Sequence, residues 1–213
     1  MIVSDAVEAY LLDSRPAPDP ILAEMEARGE REGIPIVVPV TGALLQVLTA
    51  AAGARRAVEV GTAIGVSTLH VARALPEGGT IISFEVDEER HRAARDYLDR
   101  AGVGDRADLR LQDASEGLDT LERGGFDIAF LDGLKRDYQR HLEQTLPLLR
   151  TGGTLVVDNT LLSGTVADGR PAYHWTADEI TAMREFNAGL LRRDDLDSVL
   201  LPVGDGVIVA VRR

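Results

Sequence analysis

Residues 57–67 read Ala57-Val58-Glu59-Val60-Gly61-Thr62-Ala63-Ile64-Gly65-Val66-Ser67. A short, mostly apolar run, Ala57–Val60, stops at a turn with two glycines, and a helical pattern, Ser67–Leu75, follows. Such a strand–turn–helix unit is the start of a parallel β/α repeat. The alternation continues downstream. Strands are predicted at Thr80–Glu85, Leu109–Gln112, Asp127–Leu131 and Thr154–Asp158, with helices at Glu88–Ala101, Ser115–Arg123 and Tyr138–Leu149. Apolar strands separated by helices predict a parallel sheet covered on both faces. After a polar stretch, Thr160–Thr176, a helix at Ala177–Leu191 leads to two more strands, Ser198–Val203 and Val207–Val211. Gly204-Asp205-Gly206 between them reads as a tight turn, so these two form an antiparallel hairpin. The fold class is therefore α/β, a seven-stranded and mostly parallel sheet.

Upstream, helices are predicted at Ala6–Leu12 (capped by Asp5), Ile21–Arg31 and Gly42–Ala52. The cluster Pro16-Ala17-Pro18-Asp19-Pro20 separates the first two, and Ile34–Pro39 is extended because each proline biases its predecessor away from helix. A helical cap over 1–52 thus precedes a core over 55–213 within one domain. The 213 residues suit a single domain. There is no cysteine, which excludes a disulfide framework, a thiolate zinc site and a cysteine nucleophile. The first residues have no basic region before an apolar core, and no apolar run approaches the roughly 18 residues that span a bilayer. These features predict a soluble, cytoplasmic protein with no membrane partner. The net charge of −12 argues against broad binding to a phosphate backbone. Among 23 basic residues only Lys135 is a lysine. A solitary lysine among arginines is a candidate for work that arginine cannot do, such as accepting a proton.

The first β/α turn has neither the Gly-x-Gly-x-x-Gly nor the Walker spacing, which disfavours a dinucleotide or a triphosphate. Its helix N-terminus suits a smaller anion such as an amino-acid carboxylate, to which Ser67 can donate. Glu59 can hold an ammonium group. Glu85 ends the second strand and can accept from ribose hydroxyls. Gln112-Asp113-Ala114 ends the third, where an adenine amino group can be read. Carboxylate, ammonium, ribose and adenine together describe S-adenosylmethionine.

The fourth strand runs out into Asp132-Gly133-Leu134-Lys135-Arg136-Asp137-Tyr138 and the fifth into Asp158-Asn159. Both ends fall at the carboxyl edge of the sheet, where open α/β folds bind ligands. Asp132, Asp158 and Asn159 offer three hard oxygens, a set that suits Mg²⁺. The competing reading is that both aspartates only cap the helices that follow them.

With those motifs in place, the chain resembles the class I, metal-dependent O-methyltransferases, the family of catechol and caffeoyl-CoA O-methyltransferases. The resemblance rests on Glu59–Ser67, Asp132-x-x-Lys135-x-x-Tyr138 and Asp158-Asn159, and it covers about Ile34 to Arg212. It implies a Rossmann-like core. It implies that Asp132, Asp158 and Asn159 bind a divalent cation (Mg²⁺, Mn²⁺ or Ca²⁺), and that Lys135 is the catalytic residue beside the reacting hydroxyl. Glu59, Gly61, Ser67, Glu85, Asp113, Ala114 and Asp132 would contact S-adenosylmethionine, with backbone help near Val37. A homodimer is implied by resemblance alone. A phenolic hydroxyl, with a pKa near ~10, is a poor nucleophile at neutral pH, so a cation and a base beside it make chemical sense.

The chain departs from the mammalian catechol enzymes at Leu134, near which they carry a bulky aromatic; Trp175 is the candidate replacement. His174 lies near the same cleft, whereas His70, His91 and His141 are expected to be structural or solvated. Two substrates compete. One is a small vicinal diol such as a catechol. The other is a tRNA wobble base, because Tyr10-Leu11-Leu12, Arg15-Pro16, Ile34-Pro35-Ile36 and Gly42-x-Leu44-Leu45-Gln46-x-Leu48 also resemble bacterial tRNA 5-hydroxyuridine methyltransferases.

Overall fold

A computed structural model describes residues 4–172 and 174–213. Met1–Val3, the start of the segment tested for a leader, and Tyr173 lie outside the described residues. Among the described residues the parallel strands are β1 (Arg56–Val60), β2 (Thr80–Glu85), β3 (Ala107–Leu111), β4 (Phe126–Leu131) and β5 (Leu149–Val157). The closing hairpin is β6 (Leu196–Leu201) and β7 (Val207–Arg212). Their spatial order is β3-β2-β1-β4-β5-β7-β6. All pairs among the first five are parallel, and β7 runs antiparallel to both β5 and β6. The order reverses between β1 and β4. Their carboxyl ends therefore open a crevice at the switch point, which is where such sheets bind ligands.

The helices are α1 (Asp5–Ser14), α2 (Pro20–Glu32), α3 (Pro39–Ala51), α4 (Val66–Ala74), α5 (Glu88–Arg100), α6 (Ala114–Leu118), α7 (Tyr138–Thr145), α8 (Thr165–Asp168) and α9 (Ala177–Leu191). Alternate strand residues feed two cores. On one face Leu22, Met25, Leu45, Leu69 and Leu98 pack on Ile81, Ile128, Phe130 and Val156. On the other Leu118, Leu142, Ile180 and Phe186 pack on Val58, Ala129, Leu131 and Val157. The N-terminal cap thus shares the core of the sheet. Polar clamps add to it: Arg15 makes two bonds of 2.8 Å to Glu26, and Arg73 reaches Asp19 at 2.7 Å. His70 is buried beside them, its pKa pushed down to about 4 by burial, and bonds Gln46 at 3.0 Å.

Several boundaries differ from the sequence reading, each for a local reason. Ser4, not Asp5, caps α1, its hydroxyl accepting from the Val7 N–H. Predicted Ser115–Arg123 stops at Leu118, where the chain tightens to i−3 bonds: the Thr120 N–H and hydroxyl both donate to the Gly117 carbonyl, at 3.1 and 2.7 Å, and the Leu121 N–H donates to the Leu118 carbonyl. Strand β3 starts two residues earlier than Leu109 and ends before Gln112. Its buried Ala107 and Leu109 alternate with the exposed Asp108 and the part-exposed Arg110, the pattern of an outer strand rather than an apolar run. Strand β6 likewise spans Leu196–Leu201 rather than Ser198–Val203. Helix α7 gives way at Thr145 to a 3₁₀ turn around Pro147. The polar stretch 160–176 is partly helical, with Leu162 and Val166 buried.

The hairpin turn bears directly on the sheet edge. Gly206 has φ +88°, and a Cβ there would lie 2.6 Å from Leu161. Gly53 has φ +56° with no neighbour within 4 Å of such a Cβ. Gly206→Ala is expected to lose ~2–4 kcal/mol, left-handed strain plus overpacking, against about 1–2 kcal/mol for Gly53→Ala, strain alone. Urea unfolding of the two variants measures the difference; equal losses would refute the contact with Leu161.

Candidate active site

The turn after β1 is built from left-handed residues: Gly61 (φ 95°), Ala63 (φ 46°) and Gly65 (φ 89°). A Cβ on Gly61 would collide with the Asp132 carbonyl oxygen, so this turn and the loop after β4 are in backbone contact. Val37, Gly61, Ser67 and Asp132 line one small recess. It opens onto a cleft of ≈630 Å³ whose walls include Gly61, Glu85, Asp113, Ala114, Asp132, Lys135, Asp158 and Asn159. The structure thus brings together all the site residues read from the sequence except one. Glu59 is fully buried beneath the turn. Its Oε2 accepts from the hydroxyls of Thr68 and Ser83, each at 2.5 Å, while Oε1 has no partner among the described residues. Burial outweighs those bonds and raises its pKa.

Glu85 is pinned by three backbone N–H groups. Ala63 donates to Oε2 at 2.7 Å, and Val86 and Asp87 donate to Oε1 at 2.9 Å. Asp113 caps α6 by accepting from the Ser115 N–H at 2.7 Å. Gly117 lies against the Phe84 ring below this corner.

At the other end of the cleft, Asp132 and Asp158 leave the ends of β4 and β5. Neither side chain caps a helix, which removes the competing reading; the caps that follow are Leu134, Asp137 and Leu161. Lys135 Nζ lies between the two strand ends, 3.1 Å from Asp132 Oδ1, 2.5 Å from Asn159 Oδ1, 2.9 Å from the Tyr138 hydroxyl and 3.2 Å from the Gly133 carbonyl. Every one of these partners accepts, so Lys135 sits there as a charged donor. Tyr138 donates onward to the Asp158 carbonyl at 3.0 Å. Asp158 is 3% exposed, and its Oδ1 has no partner among the described residues. Burial, and then repulsion from Asp132, pushes its pKa up to about 8. Burial also raises Asp132, against the pull of Lys135.

Two carboxylates and an amide are hard oxygen donors, and an orphaned buried carboxylate oxygen among them is what a cation would satisfy. The set fits Mg²⁺, Mn²⁺ or Ca²⁺. Among the described residues no group of three or more His, Cys, Asp or Glu side chains gathers as a metal cluster; this set depends on Asn159 as its third member.

The sequence reading missed several cleft residues. Arg90, in the first turn of α5, lines the cleft near Glu85 and was read only as helix. His141 is buried rather than solvated, lines the cleft, and bonds Ser115 Oγ at 3.1 Å. Asp205, read only as a turn residue, faces the same cleft as Asp158. Trp175 and His174 do line the cleft, their rings 4.1 Å apart, and Trp175 also packs on the core. Leu134 is 58% exposed at the cleft mouth. The loop Asn159–Ser163 holds three left-handed non-glycine residues, Asn159 (φ 56°), Leu162 (φ 45°) and Ser163 (φ 56°), each costing on the order of 1–3 kcal/mol.

Comparison with known proteins accords with this geometry. The sequence matches the O-methyltransferase family over residues 19–213. Tricin synthase 1 of Oryza sativa subsp. japonica is 32% identical, covering 100% of this chain and 90% of its own length. Caffeoyl-CoA O-methyltransferase 2 of Zea mays is 32% identical, covering 100% of this chain and 84% of its own. The O-methyltransferase TomG of Streptomyces achromogenes, solved in complex with SAM, superposes with a TM-score of 0.82 at 30% identity, covering 97% of this chain and 96% of its own.

The raised pKa of Asp158 has a consequence for stability when cations are chelated. The folded chain keeps a proton on Asp158 that the unfolded chain releases above about pH 4. Stability from this group is complete below that pH and is lost as pH rises toward about 8. With chelator, the melting temperature of the parent is expected to fall behind that of Asp158→Asn progressively between pH 5 and 8.5. A gap that does not change with pH would show that Asp158 is ionised throughout.

Proposed function

The chain belongs to the O-methyltransferase family, as an S-adenosylmethionine-dependent enzyme of the caffeoyl-CoA type, and on that premise we propose that it methylates one hydroxyl of a small vicinal diol, catechol-like, with a divalent cation. The observation that carries this reading is the convergence of Asp132, Asp158, Asn159 and Lys135 on one end of a cleft whose other end holds Glu85, Asp113 and Ala114. When bound, the cation would lower the pKa of the hydroxyl and fix its oxygen, and S-adenosylmethionine would supply the methyl group on a sulfonium.

The chain's own residues do the rest. Glu85, its carboxylate already oriented by three backbone donors, accepts from the ribose hydroxyls. Asp113 and Ala114 meet the adenine, and Ser67 with the Gly61–Gly65 turn meets the amino-acid carboxylate. Glu59 does not reach the cleft: it stays beneath the turn, where its bonds to Thr68 and Ser83 tie β1 to α4 and β2. Asp132, Asp158 and Asn159 hold the cation. Lys135 Nζ takes the hydroxyl proton once it has released a proton of its own to solvent and given up its contacts to Asp132 and Asn159. Trp175 and Leu134 wall the acceptor and keep water out. The main catalytic effect is alignment of the acceptor oxygen with the methyl carbon. The tRNA reading gains no support from the relatives' names, and the net charge of −12 speaks against it.

The direct test is methyl transfer from S-adenosylmethionine to a catechol panel and to undermodified tRNA, with Mg²⁺ and with chelator. Activity on catechols that chelator abolishes supports the proposal; activity that survives chelation sinks the metal-dependent reading.

Two variants separate the roles. Glu85→Ala is expected to weaken S-adenosylhomocysteine binding by on the order of 1.5–3 kcal/mol, since two ribose donors lose their acceptor. Unchanged affinity by calorimetric titration would remove Glu85 from the ribose. Arginine keeps the charge of Lys135 but cannot deprotonate near neutral pH. If Lys135 is the general base, Lys135→Arg and Lys135→Ala both lose roughly 10²–10⁴-fold in turnover while cofactor affinity holds. An arginine variant with near-parent turnover would end the general-base role.

A further inference from the structure

The Gly204-Asp205-Gly206 turn does more than join two strands. Its backbone is bonded to the loop that carries Asn159. The Thr160 N–H donates to the Gly206 carbonyl at 2.9 Å, and the Leu161 N–H to the Asp205 carbonyl at 3.0 Å. The Asp205 carboxylate then accepts from the Ser163 N–H through Oδ1. These three bonds hold the stretch in which Asn159, Leu162 and Ser163 are all left-handed.

Asn159 is the weak member of the candidate metal set, because a carboxamide has one end that ligates and one that does not. Its orientation is settled on one side: Oδ1 accepts from Lys135 Nζ at 2.5 Å, and an ammonium needs an acceptor there. The amide NH₂ must therefore point away from Lys135. The Asp205 carboxylate stands beside that side chain on the cleft wall the two residues share.

We infer that Asp205 is a positioning residue: by accepting from the Asn159 amide and the Ser163 N–H, it turns the Asn159 oxygen toward the cation held with Asp132 and Asp158. This rests on the metal-dependent reading given above. Partners of this kind are worth ~10–100-fold in metal affinity. They fix which atom a ligand presents without touching the metal.

Asp205→Asn separates this from a plain turn role. The asparagine keeps an oxygen for the Ser163 N–H, so the turn stays bonded. It sets an NH₂ against the Asn159 NH₂, so one amide must flip. Calorimetric titration of the whole chain with Mn²⁺ is the measurement, with S-adenosylhomocysteine titration and melting temperature alongside and Asp158→Ala as reference. The expected result is Mn²⁺ affinity lower by ~10–100-fold in Asp205→Asn, with cofactor affinity and melting temperature kept near the parent's. The deficit should persist from 0.1 to 1 M NaCl, since a misdirected amide is not screened whereas a lost charge at a distance is. Parent-like Mn²⁺ affinity in Asp205→Asn overturns the inference, and so does a deficit that disappears in 1 M salt. A parent that binds no Mn²⁺, or whose binding survives Asp158→Ala, overturns the metal reading itself and this inference with it.

Discussion

Two carboxylates are brought to one end of the cleft by sheet hydrogen bonding. The Asp132 N–H donates to the Val60 carbonyl at 2.9 Å, and the Asp158 N–H to the Leu131 carbonyl at 3.1 Å. Neither residue can back away without opening the edge of a parallel sheet. Two like charges so placed need a cation or a proton. One ammonium, Lys135, reaches Asp132 but leaves Asp158 Oδ1 without a partner among the described residues. The Tyr138 hydroxyl, the left-handed loop after β5 and the hairpin turn behind it are all arranged around that unmet demand.

The same edge links the two ends of the cleft. The Gly61 turn, on the proposed cofactor side, touches the backbone of Asp132, on the proposed metal side. Both are anchored to strands in register, β1 with β2 on one side and β1 with β4 on the other. On the proposed reading, a donor and an acceptor that must meet within about half an ångström are thus mounted on one rigid frame.

Much of this was legible in the sequence because the chemistry follows strand ends. Glu85, Asp132 and Asp158 each terminate or follow a short apolar run, and the period of strand and helix locates them without knowledge of contacts. What could not be read depends on contacts distant along the chain. Asp205 stands between two glycines, and turn chemistry explains it fully until Ser163 and Asn159 are seen beside it. Arg90 and His141 sit inside helical patterns that give no sign of which face meets the cleft. Glu59 was placed at the right turn, but its depth below the cleft is set by Thr68 and Ser83, which are not adjacent to it in sequence. The early end of α6 is marked by i−3 bonds, with both the N–H and the hydroxyl of Thr120 on the Gly117 carbonyl, a local change that hydrophobic period does not register.

The solitary lysine has a meaning for chemical labelling. Arginine serves every other basic position, so the chain has one ε-amine, and it lies in the cleft with 19% of its side chain exposed. An amine-directed acylating reagent therefore meets, apart from the α-amino terminus, a single target. Its rate of modification reports directly on whether Lys135 is engaged with Asp132 and Asn159 or released from them. What reads in composition as a preference for arginine makes the protein its own single-site probe of the cleft.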